Sequence, residues 1–324
     1  MDKIWAKLKA NYPFLKVWER KSKVFTLPGF DSVPVYDVYK FFIAEIQENS
    51  LPTRSKSIAF SFFLAIFPTL TFIFSLIPYL PYFRDLDTNI LKLLKQVLPN
   101  EATFNFIKSF IEPLLKDLAK HKRGGLLTGS IFLVLFLMSN GVLAMMQSFD
   151  KSHDHYRRRT ALQARMVALK ITFLLMTLFL FSMGLIVLGE ELISLLSGLL
   201  QIQSKLTHTL LDILRFTLII VMFFFGTSLI YYYGPATKTK YKFISTGATV
   251  ATILSVIISI FYSYWVANFN KLNLVFGSIG TIMLLMIWLN INAFVLIIGY
   301  EINASIYINK TYRIKKLEMP AVEN

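Results

Sequence analysis

The residues able to do chemistry are few, and most of them lie inside long apolar stretches. Asn290 and Glu301 are eleven residues apart, and so are Asn292 and Asn303. Eleven residues make close to three helical turns, so each pair shares one helix face, about 16 Å apart along the axis. Gly299 shares the Asn292/Asn303 face. A carboxylate at membrane depth is a functional candidate by default, and one near the boundary serves equally well as an interfacial cap or as the partner of a cytoplasmic Arg. Ser139-Asn140-Gly141 places an amide and a flexible residue past the middle of another apolar stretch. Pro68 sits near the centre of a third, where it removes one backbone hydrogen bond and sets either a fixed kink or a hinge.

Hydrolytic metal chemistry is poorly supplied. The four histidines are His121, His153, His155 and His208, and only His153-Asp154-His155 is a cluster. Metal-dependent hydrolysis of RNA needs further ligands around one or two ions. The chain has no Cys, which removes thiolate sites, disulfides and Cys nucleophiles. No metal, cofactor or catalytic residue is expected, and an RNA-cleaving enzyme is disfavoured.

The elements that must position these residues are apolar helices. Hydrophobic residues make up 55% of the 324, and charged residues only 16%. That is more apolar surface than a soluble chain of this size can bury. Uncharged windows run over 57–83, 124–149, 171–189, 216–237, 243–270 and 272–300, each at least 19 residues long. About 20 apolar residues cross a bilayer, and in lipid they must be helical to satisfy their own backbone. The expected fold is all-α, a polytopic membrane protein with six transmembrane helices and amphipathic interfacial helices. A segment 1–56 precedes the 57–308 membrane domain, and a tail 309–324 follows it.

Net charge is +15, which would suit a nucleic-acid partner if the charges were clustered. They are not. With the N-terminus inside, 23 of the 34 Lys and Arg fall in cytoplasmic segments, so they read as topology determinants. Both termini are then cytoplasmic, and no nucleic acid is expected. Arg157, Arg158 and Arg159, with Arg54 and Lys56, are read as anchors to anionic headgroups.

Two regions have amphipathic spacing. In 35–48, Tyr39, Phe42, Ile43 and Ile46 line one face, which suits a helix lying on the cytoplasmic surface. In the external loop 84–123, Phe104, Ile107, Ile111, Leu114, Leu115 and Leu118 recur at helical spacing after a possible N-cap at Asn100, with a break at Pro113. Within the fifth span, Gly247, Ala251, Ser255 and Ser259 are spaced by four and predict a helix-packing seam. Gly234-Pro235 closes the fourth span. Gly277 and Gly280 open the sixth, as a tight turn or a backbone nest.

Arg54-Ser55-Lys56-Ser57-Ile58-Ala59 with Phe67-Pro68, Tyr232-Tyr233-Gly234-Pro235, Phe276-Gly277-Ser278-Ile279-Gly280 and Gly299-Tyr300-Glu301-Ile302-Asn303-Ala304 occur in that order. Together they resemble the YihY/BrkB family of membrane proteins, along residues 50–306. The sequence departs from the family pattern at Tyr300, where a small residue is usual. The resemblance implies a six-helix bacterial inner-membrane protein with cytoplasmic termini. It also implies links to serum resistance or envelope lipid handling in some members, and an old ribonuclease BN label.

The expected function is transport or translocation of a lipid-like or small amphiphilic substrate. The alternative is a structural or assembly partner of an envelope complex, docking through the external loop. Membrane lipids are the expected partners, with an envelope protein or a second copy also in view. The chain has no ATP-binding loop, so transport would be passive, ion-coupled or driven by a partner.

Overall fold

Seven helices carry the fold in the computed structural model, which describes residues 20–48, 51–76, 124–149, 159–200, 204–237, 240–268 and 278–318, and six positions between 104 and 113. They are α1 (Val35–Glu48), α2 (Leu51–Leu76), α3 (Gly124–Phe149), α4 (Ala161–Leu200), α5 (Ser204–Tyr233), α6 (Thr246–Asn268) and α7 (Ser278–Glu318). Six of them, α2 to α7, are long and apolar enough to cross a membrane. Among the described residues there is no extended strand.

The six long helices form a ring in chain order. Each packs on its successor, and α7 closes the ring against α2 while also touching α3 and α1. The α2–α3 contact is the most extensive. Neighbours run antiparallel: Arg54 at the start of α2 meets Ser148 at the end of α3, and Gly247 at the start of α6 meets Asn303 late in α7. Even crossings connected this way bring the start of α2 and the end of α7 to one side. That side is here called the clasp end, after the N-terminal segment that grips it.

Several boundaries differ from the sequence expectation. The third span, expected over 171–189, begins at Ala161 and runs as helix to Leu200. Its apolar window, Ala161–Ser182, takes in Arg165 and Lys170, which expectation left in a loop. A charge does not end a helix when its side chain has a partner: Arg165 donates to Asn140 at 2.5 Å, and the Lys170 ammonium lies 4.4 Å from the centre of the Tyr233 ring. The sixth span continues through Glu301 to Glu318, so most of the expected tail is helix. The extension is held because it packs against α1 and the segment before it. α1 occupies the expected 35–48, but the side it buries passes through Val38, while Tyr39 is 49% exposed. Residues 84–103, and with them Asn100, lie outside the described residues, as do Ile107, Ile111, Leu114, Leu115 and Leu118.

The main core lies at the clasp end. Ile58, Ala59, Val142, Met145, Phe149, Ala168, Ile171, Tyr231, Ala251, Ile297, Tyr300 and Ala304 form one buried cluster. The predicted seam on α6 is part of it: Gly247, Ala251 and Ser255 are buried, with Ser259 only partly so. At the crossing with α7, a Cβ on Gly299 would stand 2.6 Å from both the Gly247 carbonyl oxygen and the Tyr231 hydroxyl. Two glycines are needed because the two backbones themselves touch.

Candidate functional site

The site is built where helix ends meet. The last carbonyls of a helix have no partner within it, and in lipid each one left bare costs several kcal/mol. Here side chains from other helices supply the donors. For α3, Arg54 Nη1 donates to the Ser148 carbonyl at 3.0 Å, and the Tyr300 hydroxyl donates to the Phe149 carbonyl at 2.6 Å. Tyr300 also stacks on the Phe149 ring, centroids 4.0 Å apart. A small residue there would lose both contacts.

For α5, one guanidinium spans the last helical carbonyl and the two that follow it. Arg159 donates to the carbonyls of Gly234 at 2.6 Å, Pro235 at 3.0 Å and Tyr233 at 3.3 Å. The arginine expected at the headgroups is thus directed at a helix terminus, where Arg matches the negative end of the dipole. Arg157 and Arg158 lie outside the described residues, while Lys56 is exposed on α2. Gly234 and Pro235 are buried beneath Arg159, and the Gly234 amide closes the helix onto Ile230 at 2.8 Å.

The start of α6 is capped reciprocally. Asn303 Oδ1 accepts from the Gly247 amide at 2.8 Å, and Asn303 Nδ2 donates to Ser245 Oγ at 2.9 Å. Ser245 Oγ in turn accepts from the Ala248 amide at 3.3 Å. Asn303 therefore joins α7 to the N-terminus of α6.

Deeper in the bundle the polar contacts continue. Ser55 Oγ donates to Asn290 Oδ1 at 2.9 Å, linking α2 to α7. Asn140 Oδ1 accepts from Arg165, linking α3 to α4. Gly141 is buried against the Phe62 ring, which a Cβ would meet at 3.0 Å. The Tyr231 hydroxyl donates to the Leu296 carbonyl at 2.6 Å. Asn292, by contrast, donates within its own helix to the Trp288 carbonyl at 3.0 Å. Pro68 lies inside α2, which continues past it for eight residues to Leu76. Gly280 is buried in the first turn of α7, and Gly277 lies outside the described residues.

Glu301 is completely buried, at 0% exposure. It stands seventeen residues before the end of α7, so it does not cap that helix. Its neighbours in sequence, Tyr300 and Asn303, tie α7 to α3 and α6 respectively. Among the described residues no three His, Asp or Glu side chains are grouped as a metal site would require. His121, His153 and His155 fall outside the described residues.

Thus three of the four sequence signatures, apart from Phe67-Pro68 further along α2, converge on one end of the ring as a polar, hydrogen-bonded plate; the described part of the fourth, Ser278 to Gly280, opens α7. The sequence profile of the family described as "Virulence factor BrkB" matches residues 42–323. The chain belongs to the BrkB family. A relative in Bacillus subtilis (strain 168), YfkH, whose name describes it as ribonuclease-like, is 29% identical over 80% of this chain and 90% of its own length. A UPF0761 membrane protein of Tolumonas auensis is 25% identical over 86% of this chain and 89% of its own. Another, from Haemophilus influenzae, is 21% identical over 82% and 93%. No solved structure matches. Like these UPF0761 relatives, this BrkB-family chain is a multi-pass membrane protein, with six candidate spans among the described residues.

Sequence reasoning did not single out four residues that the structure brings into use. Asp31, Lys242 and Lys310 meet at the clasp end, where the Asp31 carboxylate lies 2.5 Å from the Lys242 ammonium and 2.8 Å from that of Lys310. Hydrogen bonds from Lys242 and then Lys310 hold the Asp31 carboxyl below its ordinary value. The fourth is Arg165. In a sequence all four are ordinary loop or span-edge charges, and only tertiary contact pairs them.

Proposed function

We propose that this BrkB-family protein is a translocator of a lipid-like or small amphiphilic substrate in the bacterial inner membrane, with the clasp end in the cytoplasm, and is not an enzyme. The observation that supports it is that, among the described residues, α4, α5 and α6 are fully buried only toward the clasp end. Among the described side chains, the last buried residue on α6 is Ser255 and on α4 Thr172, and on α5 burial begins at Gly226. Beyond those levels no described side chain of these three helices is fully buried, and Leu175, Phe224 and Ile258 pack only partly buried on the core. At the boundary, Ser228 on α5 and Ser255 on α6 carry buried hydroxyls with no hydrogen-bond partner among the described residues. Buried hydroxyls at that level suit a headgroup, and the exposed apolar helix surfaces beyond it suit acyl chains.

The orientation follows the excess of Lys and Arg in the segments assigned to that side. The non-enzymatic reading rests on the poor supply of ligands and of acid–base pairs. Purified protein in proteoliposomes with fluorescent phospholipids provides the test. Faster lipid exchange between leaflets than in protein-free vesicles, slowed by Glu301→Gln, is expected. No exchange above the protein-free rate, across several lipid and amphiphile classes, contradicts it.

A further inference from the structure

A cleft of about 630 Å³ opens at the clasp end between the N-terminal segment, the α5–α6 connection and the last turns of α7. One part of its wall is cationic: Lys240, Lys242 and Lys310. The Lys240 ammonium lies 4.6 Å from the centre of the Tyr232 ring and 4.9 Å from that of Tyr233, and the residue is exposed. The side chains of Lys242 and Lys310 are 70% and 44% exposed. Another part of the wall is apolar, from Ile244, Ile306 and Ile314. Ile244 is 73% exposed and Ile314 44%. The start of α6 also borders the cleft, but its Gly247 and Ala248 amides are occupied by Asn303 and Ser245.

One anion is already built into this wall. The Asp31 carboxylate places one oxygen on Lys242 and the other on Lys310. It is held there by an unusual backbone, with φ of +90° at Gly29, 48° at Asp31 and 66° at Ser32. Left-handed conformations at two non-glycine residues are strained, and persist where surroundings over-determine them. Here Thr246 Oγ1 donates to the Gly29 carbonyl at 3.0 Å, and Arg313 donates to the Ser32 carbonyl at 2.8 Å. A carboxylate bridging two ammonium groups has the charge and two-point geometry of a phosphate diester.

We propose that this cleft binds the phosphate of an anionic amphiphile, a phospholipid of the leaflet on the clasp side, and that Asp31 is an internal competitor for the same two lysines. The lipid phosphate sits on Lys240, Lys242 and Lys310, with its proximal acyl carbons along Ile244, Ile306 and Ile314. The site is one of binding and does not depend on translocation, so its test reads binding alone.

Native mass spectrometry of the full chain in detergent, titrated with phosphatidylglycerol, phosphatidylcholine and inorganic phosphate, decides it. Phosphatidylglycerol is expected to bind more tightly than phosphatidylcholine. Lys240→Ala, which leaves the Asp31 bridge intact, weakens it about fivefold, the value of one lysine near an anionic headgroup. Asp31→Asn strengthens it, because two lysines are released. A purely structural Asp31 would instead weaken binding or leave it unchanged when replaced. Equal binding of the two lipids with no effect of Lys240→Ala overturns the site. Displacement of phosphatidylglycerol by millimolar inorganic phosphate overturns the amphiphile and assigns the cleft to free phosphate.

Discussion

The two ends of the same helices are built on different principles. At the clasp end, α4, α5 and α6 bury Ala168, Ile171, Thr227, Ile230, Tyr231, Ala248 and Ala251 against their neighbours. Toward the far end, the same helices present Phe173, Phe179, Phe181, Phe216, Ile219, Ile257, Ile260, Phe261 and Tyr264, all at least 45% exposed. Helices α2, α3 and α7 differ from them, keeping buried residues such as Phe72, Ser130, Val134 and Leu284 toward the far end. In lipid an apolar side chain gains little by leaving acyl chains for protein. What holds the ring together is therefore close backbone approach and shared polar contacts. Both are concentrated at the clasp end, so stability should be concentrated there too.

The largest expected effect is at the α6–α7 crossing. Gly299→Val would drive a side chain into the Gly247 carbonyl, and should destabilise the purified protein by about 3 kcal/mol or more. Ile260→Ala on the far half of α6, at 56% exposure, should shift stability by less than about 0.5 kcal/mol. Thermal melting of the two variants in one detergent compares the ends directly, and similar melting points would break the comparison.

Next is the α5 terminus. Arg159→Ala leaves three carbonyls without their donor and should cost about 2–3 kcal/mol, the range for a charged donor removed from a buried acceptor. Arg159→Lys should recover only part of it, since an ammonium cannot reproduce the planar fork. An Ala variant that melts like the parent would show that the cap contributes nothing.

Tyr300→Phe is smaller. It keeps the ring stacked on Phe149 and removes only the hydroxyl bond to the Phe149 carbonyl, so about 1 kcal/mol is expected. Tyr300→Ala loses the stacking as well and should cost several times more. Equal effects from the two would mean that the hydroxyl carries the whole contribution.

The smallest effect concerns pH. The carboxyl of Asp31 is depressed in the folded protein, so its contribution is fully present above its unfolded value near 3.8 and is lost as pH falls through the lower folded value. The grip of residues 25–38 on α7 should hold at pH 5 and loosen below pH 4, by about 0.5–1 kcal/mol for a partly exposed pair. Protease sensitivity of the N-terminal segment against pH reads this, with Asp31→Asn expected to abolish the dependence.

Fold class and span number were legible because apolar length and freedom from charge are one-dimensional properties. The limit of that reading shows at Arg165 and Lys170. Both looked like loop charges, yet each lies within α4, because Asn140 and Tyr233 on neighbouring helices receive them. Asn303 and Arg159 were visible as notable residues, but their work was not. Capping another helix requires knowing which helix end arrives beside them. The seam of Gly247, Ala251 and Ser255 could be read because its spacing alone specifies a face. Asp31 could not, since a lone acid in a loop gives no sign of two lysines more than 200 positions away.

The central claim is that polar side chains lock the helices together at the clasp end. The chain has no native Cys, so a pair introduced as Ser55→Cys and Asn290→Cys, whose parent side chains are 2.9 Å apart, reports on that contact without background. Mild oxidation of intact membranes should give a rapid intramolecular disulfide, seen as a mobility shift reversed by reductant. Failure of the pair to cross-link in membranes, with each single variant folded, would contradict the locked end and the account built on it.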